Sequence, residues 1–103
     1  MDAKEILDTS VAMERKEGII TVFTAVEYPP TVKQKFSIIF PEASDYVTAI
    51  SIADGLRAKG TPIGAVDILI ASVCHNRMAR LVTKDKDFEY VQKVIPSFLV
   101  KFV

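Results

Sequence analysis

From Ala65 to Cys74 the chain reads Ala-Val-Asp-Ile-Leu-Ile-Ala-Ser-Val-Cys, and only Asp67 and Ser72 in that run are polar. A helix apolar on nearly every side is a buried helix. The rest of the chain must therefore supply elements that enclose it. With 103 residues in all, that means one domain spanning 1–103. A domain of this size hides only part of its apolar surface, so a second copy completing the core, a homodimer, is expected.

The enclosing elements are legible as alternating strands and helices. Ile6-Leu7 is a first strand with Asp8 at its carboxyl end, and Ala12 to Gly18 allows one or two helical turns stopped by Gly18. Ile19 to Thr24 is dense in β-branched and aromatic residues and predicts a second strand. Ala25 to Tyr28 starts a helix that Pro29-Pro30 interrupts. Ser37 to Phe40 is a third extended run. Ser44 is the expected N-cap of a helix that carries Tyr46, Val47, Ile50, Ala53 and Leu56 at helical spacing and ends at Lys59-Gly60. Ala65 to Arg80 is the next helix, Leu81-Val82-Thr83 a strand, Phe88 to Val94 a short helix and Ser97 to Val103 a last strand. Strands alternating with helices imply an α/β domain with a mostly parallel central sheet covered on both faces. In such sheets the functional crevice lies at the carboxyl ends of the strands.

Four acids point to that crevice. Asp67 is a lone carboxylate on the buried helix, which is costly unless it is paired, capped or bound to metal. Asp8, Glu27 and Asp85 each follow a predicted strand. Singly, each has a bland explanation: a helix-start acid for Asp67 and Glu27, a turn residue for Asp8, a solvated loop for Asp85. Together they fit one purpose better. Crowded carboxylates raise one another's pKa, and a hard divalent cation removes the conflict. An all-oxygen donor set suits Mg2+ or Mn2+, and no His/Cys cluster offers a zinc site. An ion held that way lowers the pKa of a water for attack on a phosphodiester.

Charge and cysteine content narrow the alternatives. Formal net charge is zero, which argues against binding nucleic acid through bulk positive charge alone but not through a metal-bridged phosphate. One cysteine, Cys74, forms no internal disulfide. The charged start of the chain is unlike a signal peptide and no apolar run is long enough to span a membrane, so the expected location is the cytoplasm. No Gly-rich phosphate loop is present.

Four segments in order carry a resemblance. Leu7-Asp8-Thr9-Ser10, Thr21 to Tyr28 with Glu27, Asp67-Ile68-Leu69-Ile70-Ala71, and Leu81 to Phe88 with Asp85 are similar to the signature segments of PIN domains, most of all the VapC toxins of prokaryotic toxin–antitoxin pairs. The resemblance implies a three-layer α/β/α domain and a Mg2+- or Mn2+-dependent endoribonuclease, a hydrolase. Asp8, Glu27, Asp67 and Asp85 match the acidic quartet, with Asp8, Asp67 and Asp85 as metal ligands. Thr9, Ser10 and Thr83 match supporting hydroxyls, and Asp87 a supplementary acid. The implied partners are RNA, a cognate antitoxin and a second copy. Lys84 and Lys86, flanking Asp85, read either as contacts to RNA phosphate or as solvated loop charges, with the former preferred. The sequence departs from the family in one region: the helical pair between the first two acidic motifs is shortened, and Pro29-Pro30 falls where a helix should follow Glu27.

The remaining polar residues have structural readings. Arg77 and Arg80 suit the negative end of the buried helix, as does His75; Cys74 is a small core residue. Glu42, Asp45 and Asp54 read as helix-terminal or surface acids, Tyr28 and Phe88 as packing residues. Two other functions compete with the nuclease. A phosphoacceptor domain also sets acids at strand ends, but Asp8 has no acidic neighbour to pair with. A shortened PIN-like module that binds partners without catalysis is the stronger rival.

Overall fold

Side-chain alternation along two short strands decides the layering. In the computed structural model, which describes residues 3–103, β1 (Glu5–Leu7) pairs in parallel with β4 (Arg80–Thr83), placing Ile6 opposite Leu81 and Leu7 opposite Val82. Successive side chains of a strand face opposite ways. Ile6 and Leu81 accordingly enter one core, and Leu7 and Val82 the other. The larger core is closed by α3 (Ala43–Ala58), α4 (Ala65–Asn76) and α5 (Phe88–Val94), which contribute Ile52, Leu56, Ile70, Cys74, Phe88 and Val91. The smaller is closed by α1 (Thr9–Arg15) and α2 (Val22–Glu27) through Val11, Ala12 and Ala25. The result is the expected three-layer α/β/α arrangement.

Every strand pairing among the described residues is parallel. β5 (Val100–Phe102) extends the first ladder to the order β1-β4-β5, while β2 (Glu17–Thr21) and β3 (Lys35–Ile39) form a separate two-stranded ladder. β2 lies against β1 without continuous hydrogen bonding between them.

Several boundaries differ from the sequence expectation, each for a local reason. The second strand ends at Thr21 rather than Thr24, because the Thr21 hydroxyl accepts the Thr24 amide (3.4 Å) and caps a helix over Val22–Glu27. A side-chain cap here overrides the strand preference of β-branched residues. The first helix starts at Thr9 and is ended by Lys16 in the left-handed conformation (φ 63°), not by Gly18. Gly18 belongs to β2 instead. Its φ of +132° strains any other residue there, and Leu7 Cδ1, 3.0 Å from where a Cβ would stand, would have to give way.

Pro29-Pro30 do not merely interrupt a helix; they open a 3-10 helix, Pro29–Lys33. α3 is capped by Glu42 rather than Ser44, through a reciprocal capping box in which the Glu42 amide donates to Asp45 Oδ2 (2.8 Å). α4 stops at Asn76 instead of Arg80, where Met78 turns left-handed (φ 54°). Its burial is also uneven: Ile68 and Ile70 to Cys74 are buried, but Ala65 and Val66 in the first turn are exposed. No helix among the described residues is long and apolar enough to cross a membrane.

Candidate active site

Parallel pairing puts the carboxyl ends of β1 and β4 side by side, and the first site residues leave from there. The Asp8 amide donates to Val82 O at 2.9 Å, so the residue is fixed as β1 ends. Asp8 occupies the N-cap position of α1, but its carboxylate does not cap the helix in the usual way. Oδ2 instead accepts from Thr83 Oγ1 at 2.7 Å and from Ser10 Oγ at 3.4 Å. Only 6% of Asp8 is exposed. Burial raises its pKa, with a further push from Glu27, against the pull of hydrogen bonds from Thr83, the Thr9 amide and Ser10.

Thr83 serves a second acid. Fully buried at the end of β4, its hydroxyl accepts the Asp85 amide at 3.0 Å while donating to Asp8. Asp85 in turn accepts the Asp87 amide at 2.9 Å, closing a tight turn before α5. Glu27, exposed at the end of α2, is held from across the layer by Thr9, whose hydroxyl reaches Glu27 Oε1 at 2.6 Å and Thr24 Oγ1 at 3.1 Å.

Asp67 sits in the first turn of α4, half-buried. Its pKa is pushed up to about 6, first by burial and then by the charges of Asp8, Asp85, Glu27 and Asp87. Those causes place all five acids in one electrostatic neighbourhood. A helix N-terminus favours the charged form of a nearby carboxylate, whereas burial and the neighbouring anions favour the protonated form of Asp67.

The donor set has a definite character. Its members are carboxylate and hydroxyl oxygens. Among the described residues no three acidic or His/Cys side chains are arranged to hold an ion by themselves. Such a set fits a hard ion that takes one or two carboxylates and keeps its remaining waters, the habit of Mg2+, rather than an ion caged by protein.

The two lysines have other partners. Lys84 forms an ion pair with Glu14 of α1, and the Lys86 ammonium lies 4.4 Å from the centroid of the Phe102 ring. Sequence reasoning missed Glu14 and also Thr24, which is fully buried beside Thr9. Thr21, Thr24 and Glu27 recur every third residue, a helical spacing that the β-branched composition around them obscured. Asp45 is likewise more than a surface acid. It is 1% exposed and paired with Arg77 at 3.0 Å.

No protein-family model and no curated protein matches the sequence. Solved structures do match its fold. A VapBC2 structure from Rickettsia felis, bound to a DNA fragment from its promoter, superposes with a TM-score of 0.73 at 19% identity, covering 95% of this chain and 97% of that one. DNA-bound VapBC from Salmonella typhimurium gives 0.77 at 18% identity, with 98% of each chain covered. VapBC-5 from Mycobacterium tuberculosis, of the VapBC family of toxin–antitoxin systems, gives 0.75 at 18% identity, covering 99% of this chain and 100% of that one. At these identities the likeness is one of fold: over nearly its whole length this chain has the PIN-like α/β fold that it shares with VapBC toxin–antitoxin structures.

Proposed function

We propose that this chain is a divalent-metal-dependent endoribonuclease of the toxin type, restrained by a cognate antitoxin and acting as a homodimer. The observation that carries the reading is the gathering of Asp8, Glu27, Asp85 and Asp87 about the half-buried Asp67, whose pKa is lifted to about 6 first by burial and then by their charges. A structural role for these acids calls for cations among them. Yet Lys84 and Lys86, next to Asp85 in sequence, have Glu14 and the Phe102 ring as partners. Acids whose neighbouring lysines are engaged elsewhere suit a site whose positive charge arrives with a ligand.

One or two of Asp8, Asp67 and Asp85 would hold Mg2+ or Mn2+, with waters completing its shell, and the ion would supply charge neutralisation at a phosphodiester and a more acidic water. The chain's own residues set the geometry. Thr83 fixes Asp8 and the Asp85 turn relative to each other, and Thr9 fixes Glu27 at the rim. As a ligand Asp67 would have to be deprotonated, so ion binding would strengthen as pH rises through about 6. The VapBC structures of the same fold support an antitoxin as partner.

The test is cleavage of single-stranded RNA with Mn2+ by wild type and Asp8→Asn. Asn keeps the size and one oxygen but loses the charge, so cleavage should fall about hundredfold or more. The metal-free variant should melt at or above the wild-type temperature, because burial disfavours the Asp8 carboxylate. Wild type that neither cleaves RNA nor gains stability from Mn2+ would establish the other reading, a non-catalytic interaction module. The shortness of α1 (7 residues) and α2 (6 residues), which wall the acidic side, favours that alternative.

A further inference from the structure

Three side chains beside the acidic site form a directed chain of hydroxyl protons. Thr9 Oγ1 lies 2.6 Å from Glu27 Oε1 and 3.1 Å from Thr24 Oγ1. A threonine hydroxyl has one proton to give and two lone pairs with which to accept. An ionised carboxylate only accepts, so the Thr9 proton belongs to Glu27. The contact between the two threonines then requires Thr24 to donate to Thr9. Thr24 is fully buried, so no water competes for that proton. Its backbone is fixed as well, since the Thr24 amide donates to Thr21 Oγ1 in the cap of α2.

We infer that Thr24 is a positioning residue for Glu27: by donating to Thr9 it commits the single Thr9 proton to Glu27 Oε1, and so fixes the carboxylate at the end of α2. The need for such a device follows from the fold. Glu27 is exposed at the last position of a short helix, and a free glutamate there samples many rotamers. Thr9 belongs to α1 and Thr24 to α2, so the chain also ties the two short helices together beside the site. Thr83 does for Asp8 and Asp85 what this pair does for Glu27. The role in cleavage rests on the nuclease reading; the hydrogen-bond chain itself does not.

The experiment therefore has one arm that needs neither metal nor RNA. In the metal-free protein, the carboxyl carbon resonance of Glu27 should move in Thr24→Val and stay within the wild-type line in Thr24→Ser, which keeps the donor. In the Mn2+-dependent RNA assay, Thr24→Val should lower kcat about fivefold to tenfold, the effect of one hydrogen bond. KM for RNA should stay within about twofold, since only the acid is misplaced. Thr24→Ser should restore most of the rate. Should Thr24→Val not fold, Thr9→Val removes the next link on a less buried side chain and carries the same expectations.

An unmoved Glu27 resonance in Thr24→Val, or an equal loss of kcat in Thr24→Val and Thr24→Ser, would overturn the positioning role. Wild type without Mn2+ response or cleavage would instead overturn the nuclease reading, and with it the role in cleavage, while the carbon resonance still decides whether the chain of hydroxyls exists.

Discussion

Asp67 carries the strain of the site as charge, and its titration gives that strain a measurable sign. Its folded pKa, about 6, lies above the ordinary 3.8. The folded state therefore holds its proton at pH values where the unfolded chain has lost it. The associated stability is fully present below about 3.8 and is lost as pH rises through about 6. Asp8 is shifted in the same direction. Asp45 opposes them, because its pKa is lowered, but its contribution is lost only below the ordinary carboxylate value. Between pH 7 and pH 5 the metal-free protein should thus melt at a higher temperature as the solution is acidified. Asp67→Asn should raise the pH 7 melting temperature by about 2–5 °C and flatten the slope against pH. Melting curves in a chelating buffer at both pH values check this, and an unchanged slope in the variant would assign the pH dependence to other groups. Much of this was legible in sequence, because a carboxylate in an apolar helix is conspicuous. The hydroxyls at Thr9, Thr24 and Thr83 were less so. Thr9 and Thr83 were identified through family resemblance and Thr24 not at all, since a threonine in a strand-like run gives no sign of what its side chain meets.

At the scale of elements, the Asp45–Arg77 pair joins the start of α3 to the end of α4. Arg77 donates to both carboxylate oxygens at 3.0 Å and to Val73 O at 2.9 Å, and Asn76 adds a bond to Asp45 at 2.9 Å. Burial alone would raise the Asp45 pKa, yet the bonds from Arg77, the Glu42 amide and Asn76 together lower it. Arg77→Met leaves a buried carboxylate without its cation. The cost should be about 2–3 kcal/mol, below the full penalty for a buried pair because the Arg77 side chain is partly exposed. Urea denaturation measures it, and a loss under about 0.5 kcal/mol would mean that the pair behaves as a surface salt bridge. A second contact fixes α3 against α5. A Cβ at Gly55 would stand 2.5 Å from Val94 Cγ1. Gly55→Ala improves helix propensity by about 1 kcal/mol. Overpacking costs about 1–3 kcal/mol, so the variant should melt lower, whereas an increase would show that Val94 yields freely. Neither contact was legible beforehand, as both join residues distant in sequence. α5 was placed to the residue because its pattern and its flanking loop agree. The helix over Val22–Glu27 was misread because its composition favours a strand and only the Thr21 cap says otherwise.

For the whole molecule, the larger core leaves an apolar surface that one copy does not cover. Along α3, Tyr46 is 47% exposed, Val47 67% and Ile50 71%, and beside them on α4 Val66 is 37% exposed. Ile50, Ala53, Ala65, Ile68 and Leu69 line a groove between the two helices. These positions are uncharged, so two identical surfaces meet there without repulsion, as a twofold-symmetric contact requires. Clustered large apolar side chains on a small domain mark an interaction surface more often than chance exposure. In the proposed homodimer a second copy of this chain would fill it, with the grooves of the two α3 helices facing each other. Light scattering over a concentration series should give the dimer mass for wild type. Ile50→Glu should give the monomer mass with its fold intact, since an exposed side chain tolerates charge until a partner buries it. A monomer mass for wild type at the highest concentration would defeat the assignment. A dimer mass retained in Ile50→Glu would move the contact to another face and leave this groove for a different partner.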